Sequence, residues 1–300
     1  MGIAKMLTLA ATPAVSGRPR DEELDLFGLT HPGKVRSENQ DHFLLCTVHQ
    51  QMVVHETSLP NPDKLPLRGQ RMGTIMLVAD GVGGSHSGGE ASQLAAETIT
   101  RYVSGTMSCF HASGGGEEKE FFAALKSAAM EAHNAVRAES SNRPGEKRMA
   151  TTLTVGVAVW PRMYIVQVGD SRCYHYWDGK LRQVTRDQTV AQYLVDVGAL
   201  PPEQAATSPF TNVLASAIGG EEASPEVLRL DIAQRGCVVL LCTDGLTKHV
   251  SDDEIAEHLR TMQSSESVSR ALLDLALDRG GTDNITILIG RANRADPANL

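Results

Sequence analysis

Five aspartates stand at or beside the predicted ends of β-strands, where their carboxylates can act together. They are Asp41, Asp80, Asp170, Asp244 and Asp283. Two of them precede a strand-like segment, two follow one, and one lies between two such segments. In antiparallel sheets the start of one strand and the end of its neighbour lie at the same edge. We therefore expect these carboxylates to converge at one rim of the molecule.

A rim of carboxylates calls for a cation, because clustered carboxylates repel one another and are costly to remove from water. Oxygen ligands select hard ions, Mg²⁺ or Mn²⁺, over zinc. Gly81 follows Asp80, and because it lacks a side chain its backbone carbonyl can approach an ion closely. A single Asp-Gly pair after a strand is ordinary turn chemistry, so the metal hypothesis rests on the aspartates jointly.

Such a site suits the hydrolysis of a phosphate ester. Two metal ions about 3.5–4 Å apart can share a bridging water, lower its pKa and stabilise the charge that develops during in-line attack. A cationic side chain then has to hold the phosphate oxygens, and Arg36, shortly before Asp41, is the candidate for a bidentate clamp. Taken alone, Arg36 fits a solvated surface residue better.

Composition excludes several other classes of protein. The 300 residues include 36 Asp and Glu against 28 Lys and Arg, a net charge of -8, without a dense basic run that could track nucleic acid. The 5 cysteines are scattered and form no C-x-x-C pair, which indicates reduced thiols in a cytoplasm. No apolar run approaches the roughly 20 residues of a membrane span. We expect neither an export signal nor an anchor.

Runs of predicted strands alternate along the chain with predicted helices. Hydrophobic periodicity predicts strands over 41–48, 74–79, 151–160, 164–168, 173–177, 181–184, 227–230, 238–243 and 285–289, and helices over 90–103, 121–136, 190–197 and 268–277. Another helix begins after Ser251, which forms a capping box with Glu254. Asp178-Gly179 predicts a hairpin turn, and the proline-rich residues 50–71 predict a loop. This order favours an α+β fold with mostly antiparallel sheets.

Six short motifs occur in the order and spacing of a known family. They are Arg36-Ser37-Glu38-Asn39-Gln40-Asp41, Asp80-Gly81-Val82-Gly83-Gly84, Ala150-Thr151-Thr152, Gly169-Asp170-Ser171-Arg172, Thr243-Asp244-Gly245-Leu246 and Gly281-Thr282-Asp283-Asn284-Ile285-Thr286. The chain resembles the metal-dependent protein phosphatases of type 2C, in particular the bacterial ones. The resemblance implies a four-layer αββα sandwich of two mostly antiparallel sheets flanked by antiparallel helix pairs.

The resemblance also implies domain limits and roles for the aspartates. The catalytic domain would span 25–290, with a flap at about 187–216. Residues 1–24 lack sustained periodicity and are predicted to form a loose tail, and residues 291–300 a second tail. Asp80 would bridge two ions, Mn²⁺ or Mg²⁺; the first ion would also bind Asp244 and Asp283, and the second would bind Asp41 and the Gly81 carbonyl. Asp170, with Asp244, matches the place of a third, weaker metal. Thr151 and Thr152 are interpreted as strand residues that support the site, and Asn284 as an orienting residue.

The chain departs from the family pattern in the glycine loop after Asp80 and in the flap. In the loop, the usual His after the two glycines is Ser85, and the following Gly-Glu is displaced by one residue to Gly89-Glu90. Val82 stands where eukaryotic members carry a His proposed as general acid, which leaves a metal-bound water or His86 to protonate the leaving group. In the flap, pairs that are usually His-Ser and His-Pro read Gln188-Thr189 and Ser208-Pro209, and an Arg is replaced by Ser216. Because none of these is a predicted ligand, we expect altered substrate selection with the chemistry retained.

The leading hypothesis is a phosphatase that removes phosphate from phosphoserine and phosphothreonine in proteins. We expect it to be cytoplasmic and monomeric, and we expect a Ser/Thr kinase to be one of its protein substrates. One alternative is a non-catalytic phosphopeptide-binding or regulatory module on the same fold, which the altered flap and glycine loop suggest. Against it, every metal position is intact. A second alternative keeps the enzyme and changes the substrate, as in relatives that dephosphorylate anti-sigma antagonists.

Overall fold

The computed structural model describes residues 17–51, 58, 61, 68–82, 87–112, 118–143 and 148–293. The strands are β1 (Leu24–His31), β2 (Asp41–Gln51), β3 (Arg68–Val82), β4 (Ala150–Thr151), β5 (Leu153–Val159), β6 (Arg162–Val168), β7 (Arg172–Trp177), β8 (Lys180–Gln183), β9 (Glu226–Asp231), β10 (Val238–Cys242) and β11 (Ile285–Ala292). The helices are α1 (Ser87–Ala112), α2 (Glu118–Ser141), α3 (Val190–Asp196), α4 (Pro202–Ala205), α5 (Asp244–Thr247), α6 (Asp252–Arg260) and α7 (Ser265–Asp278).

The strands form two antiparallel sheets. One has the order β1-β11-β10-β7-β8, and the other has the order β2-β3-β5-β6-β9, with β4 paired to β3. The hairpin between β7 and β8 turns at Asp178 and Gly179, whose φ angles of 49° and 76° are those of the predicted turn. The predicted capping box at the start of α6 is also present.

The sheets pack face to face, and helices cover their outer faces. In β3, Ile75, Leu77 and Ala79 pack towards α1 and α2, while Met76 and Val78 pack between the sheets. Successive side chains of a strand point to opposite faces, so a strand buried on both sides has to be a continuous apolar run. The sheet that contains β10 and β11 packs its outer face against α6 and α7. This arrangement confirms the predicted four-layer sandwich.

Some predicted boundaries were wrong. Residues 50–51 and 68–71, assigned to a loop, belong to β2 and β3, and Asp80 lies inside β3 because the strand continues to pair with β4. Strand β1 was not predicted, although it pairs with β11 along its whole length. None of the helices in the described ranges has the length and apolarity to cross a membrane. Residues 52–57, 59–60 and 62–67 of the predicted loop, residues 83–86, and residues 1–16 and 294–300 of the predicted tails lie outside the described residues.

Candidate metal centre

Asp41 and Asp80 face each other as partners in the antiparallel register of β2 and β3. Asp41 is buried, with 4% of its surface exposed. Its Oδ2 accepts hydrogen bonds from the hydroxyls of Thr243 (2.8 Å) and Thr286 (2.7 Å), which belong to the other sheet and its continuation. Its Oδ1 has no hydrogen-bond partner. Asp41 is therefore fixed between the sheets, with one oxygen left for another ligand.

The backbone around Asp80 is held by the strand that follows α2. The Asp80 amide donates to Thr152 Oγ1 (3.0 Å), and the Asp80 carbonyl accepts from the Thr151 hydroxyl (2.8 Å). At Gly81 a Cβ would collide with the backbone carbonyl of Gly88, so only glycine fits between β3 and the start of α1. These contacts fix the peptide that carries the candidate ligands Asp80 and Gly81.

Asp244 and Asp283 come together from neighbouring strands. Asp244 is the first residue of α5, directly after β10, and Asp283 lies just before β11. Lys248 joins them, with its Nζ 2.6 Å from Asp244 Oδ2 and 2.8 Å from Asp283 Oδ2. Asp283 also accepts from Arg36, at 2.8 Å from Nε and 3.0 Å from Nη2. The buried Oδ1 of Asp244 has no hydrogen-bond partner.

These groups open into one cleft of about 340 Å³. Its lining includes Arg36, Asp80, Gly81, Asp170, Asp244 and Asp283, together with Lys248, Val82, Asn212 and Leu214. The structure thus brings the predicted residues together as expected, except that Asp41 lies behind the lining, bonded to Thr243 and Thr286. Arg36 stands with its side chain about half exposed.

The electrostatics of the cleft favour an added cation. Desolvation, together with the nearby charges of Asp244 and Asp283, raises the pKa of Asp41 to about 7, although the two threonine hydrogen bonds oppose this. Desolvation and the neighbouring aspartates also raise the pKa of Asp80, and the pKa of Asp170 rises to about 7 by burial and the charge of Asp244. Asp283 differs, since hydrogen bonds from Lys248 and Arg36 outweigh its burial and lower its pKa.

A hard divalent ion fits this set of donors. Carboxylate oxygens and one glycine carbonyl are the ligand types that Mg²⁺ and Mn²⁺ prefer, and the unpartnered oxygens of Asp41 and Asp244 lack only a cation. Within the described ranges, no three His, Cys, Asp or Glu side chains form one compact group that could hold an ion by themselves. Mg²⁺ commonly binds one or two carboxylates and keeps several waters, so a compact group is not required.

Several residues that shape the cleft were missed in the sequence. Lys248 follows Asp244 by four positions, the spacing at which side chains of a helical turn meet, and this signal was available. Thr243 and Thr286 belong to two of the motifs, but their contact with Asp41 was not inferred, because it depends on the packing of one sheet against the other. Asn284 was interpreted as an orienting residue: its Oδ1 accepts from the Gln40 amide, and its Nδ2 donates to the carbonyls of Pro32 and Glu38.

The altered flap residues make structural contacts. The Gln188 side chain accepts from the Gly169 amide (3.0 Å) and donates to the Ser224 carbonyl (3.1 Å), which ties the segment predicted as the flap to the turn that carries Asp170. Thr189 is the N-cap of α3. The Ser216 hydroxyl accepts from the Ser224 amide (2.9 Å). In the segment predicted as the flap, these three residues therefore make local structural contacts.

Comparison with known proteins identifies the family. A family model described as protein phosphatase 2C matches residues 54–278. The serine/threonine protein phosphatase PstP of Mycobacterium tuberculosis is 35% identical over 215 residues, which cover 72% of this chain and 40% of that protein. The serine/threonine phosphatase stp of Listeria monocytogenes is 31% identical over 216 residues, 72% of this chain and 83% of that protein. The chain belongs to the protein phosphatase 2C family.

Solved structures agree with this assignment. The crystal structure of the M. tuberculosis phosphatase PstP/Ppp superposes with a TM-score of 0.70 at 29% identity, covering 90% of this chain and 99% of that one. The catalytic domain of PstP in complex with two manganese ions gives a TM-score of 0.67 at 30% identity, over 90% of this chain and 99% of that one. The chain therefore matches a catalytic domain almost completely, while it spans 40% of the full-length mycobacterial relative.

Proposed function

We propose that this chain is a metal-dependent phosphatase that hydrolyses phosphoserine and phosphothreonine in proteins. The observation that carries the proposal is the single cleft in which Asp80, Gly81, Asp244 and Asp283 meet beside Arg36. Membership of the protein phosphatase 2C family and the two manganese ions bound by a structural neighbour support it. In this proposal the catalytic unit spans 25–290 and the flap spans 187–216.

Each residue has a role in the proposed site. Asp80 would bridge two ions, with Asp244 and Asp283 on the first and with Asp41 and the Gly81 carbonyl on the second; Asp170 would serve a weaker third ion. When bound, the ions supply an activated water and neutralise charge on the phosphate. Arg36 binds Asp283 through Nε and Nη2, which leaves its Nη1 group for a phosphate oxygen. Val82 lines the cleft and offers no proton to the leaving group.

We also propose that the protein acts in the cytoplasm. The described cysteines Cys46, Cys173, Cys237 and Cys242 are free thiols, as proteins of a reducing cytoplasm commonly have. Phosphoprotein substrates follow from the proposed activity. We further propose that one of them is a Ser/Thr kinase and that the protein acts as a monomer.

The test is hydrolysis of a phosphothreonine peptide by the purified protein with Mn²⁺, with EDTA, and with the variant Asp80→Ala, each checked for folding by circular dichroism. We expect turnover only for the wild-type protein with Mn²⁺. A folded wild-type protein that is inert with Mn²⁺ but binds the peptide would instead establish the non-catalytic phosphopeptide-binding module.

A further inference from the structure

We propose that Lys248 is an internal cation that competes with a divalent ion for Asp244 and Asp283, so that an ion binding both carboxylates has to displace the Lys248 ammonium. The inference rests on the proposed metal site. Its basis is the position of Nζ, 2.6 Å from Asp244 Oδ2 and 2.8 Å from Asp283 Oδ2, in a side chain that is 27% exposed. Lys248 is therefore held between two candidate ligands of the same ion.

The backbone dictates this position. Helix α5 is a single turn that starts at Asp244, and the Lys248 amide donates to the Asp244 carbonyl (2.8 Å), which brings the two side chains to one face. Strand β11, which follows Asp283, pairs directly with β10, which precedes Asp244. Helix α5 and the pairing of β10 with β11 therefore place Lys248 within reach of both carboxylates.

Lys248 leaves few oxygens of these carboxylates for an ion. Asp283 Oδ1 is bonded to Arg36, and Asp283 Oδ2 is bonded to both Lys248 and Arg36. Asp244 Oδ2 is bonded to Lys248, which leaves its unpartnered Oδ1. An ammonium and a divalent ion on the same oxygens repel each other strongly in a partly desolvated cleft. Binding of the ion through these oxygens therefore requires the lysine to move away.

The competition has two measurable consequences. The apparent affinity for the ion equals the intrinsic affinity multiplied by the fraction of molecules in which the carboxylates are released from Lys248. Without metal, Lys248 offsets part of the repulsion among the aspartates and stabilises the fold. Replacing Lys248 by a neutral residue should therefore tighten metal binding and destabilise the metal-free protein.

The experiment is isothermal titration of chelator-treated protein with MnCl₂, combined with thermal unfolding in EDTA. We expect Lys248→Met and Lys248→Gln to bind Mn²⁺ about tenfold more tightly than the wild-type protein, within the usual range of coupling between sites. Both should unfold at a lower temperature in EDTA. Lys248→Arg keeps the charge and should not bind more tightly. Lys180→Met, at an exposed lysine of β8, is the matched control and should behave like the wild-type protein.

Each outcome separates this proposal from the proposed function. If the wild-type protein and both neutral variants bind Mn²⁺ with the same dissociation constant, or if the neutral variants bind more weakly, the competition does not exist and the metal site stands. If none of them binds Mn²⁺, the metal-dependent function fails together with this proposal. Since either neutral variant suffices for the comparison, failure of one to fold does not prevent the test.

Discussion

The two ends of the sandwich differ in how their acidic side chains are paired with cations. At the end away from the cleft, acids pair with arginines: Asp21 with Arg71 (2.5 Å), Glu23 with Arg235 (2.9 Å) and Asp25 with Arg291 (3.0 Å). At the cleft, Asp41, Asp80, Asp170, Asp244 and Asp283 share the two cations Arg36 and Lys248 among the described residues. We call these the paired end and the cleft end.

The same strands supply both ends. Strand β3 carries Arg71 near its start and Asp80 near its finish, and β11 runs from beside Asp283 to Ala292, which pairs with Leu24 at the paired end. The pKa shifts differ accordingly. The Arg20 amide and Arg235 lower the pKa of Glu23, whereas burial raises the pKa of Asp41 to about 7. The paired end contributes stability, and the cleft end keeps an excess of negative charge for a cation.

The largest expected effect is on catalysis. Asp41→Asn should reduce Mn²⁺-dependent turnover of a phosphothreonine peptide by about 1,000-fold, since a misplaced metal forfeits several kcal/mol of transition-state stabilisation. Asp25→Asn at the paired end should retain turnover at a temperature where it is folded. Comparable turnover losses in the two variants would remove the distinction between the ends.

The second effect is on stability without metal, and its sign should differ between the ends. Arg71→Ala removes a buried guanidinium that binds Asp21 and the Pro19 carbonyl, and it should lower the free energy of unfolding by about 2 kcal/mol. Arg101→Ala, at an exposed position of α1, should be nearly neutral. Asp170→Asn relieves repulsion and should raise the unfolding temperature in EDTA. Thermal and urea denaturation measure both. A loss of stability in the Asp170 variant would contradict the account of the cleft end.

The third effect is on pH dependence in EDTA. Because the pKa values of Asp41 and Asp170 rise from 3.8 to about 7 in the folded protein, the native state binds more protons than the unfolded state between these values. The free energy of unfolding should therefore fall by several kcal/mol, on the order of the two shifts together, as the pH rises from about 4 to about 7. Saturating Mn²⁺ should abolish this fall, since an ion binds the deprotonated carboxylates. Urea denaturation at several pH values measures the free energy of unfolding. If that free energy stays constant or rises with pH in EDTA, the prediction is wrong.

The smallest effect concerns the hydrogen bond that orients Asp41. Thr286→Val removes the 2.7 Å bond to Asp41 Oδ2 and should lower Mn²⁺-dependent turnover about tenfold, which is typical for a residue that supports a metal ligand. Thr74→Val, in a buried threonine near the paired end of β3, is the matched control and should leave turnover unchanged. Equal turnover in the two variants would show that Thr286 does not position Asp41.

The positions of the aspartates at predicted strand ends were enough to predict that most of them meet at the cleft end. The apolar run of β3 and the placement of Asp80, Asp244 and Asp283 were sufficient to infer a common rim, because antiparallel pairing is a local rule. The contacts of Thr243 and Thr286 could not be predicted, since they depend on how two sheets far apart in sequence pack together. At the paired end, Asp21 and Glu23 were assigned to a loose tail and Arg71 to a loop, because the partners of these residues are distant in sequence.

The most direct test of the central claim is a crystal structure of the protein grown with Mn²⁺, with the ions located by their anomalous scattering. The account predicts peaks in the cleft, bound by Asp80 and its neighbours, and no peak beside Asp21, Glu23 or Asp25. A cleft without any peak at saturating Mn²⁺, in a well-ordered crystal, would contradict it.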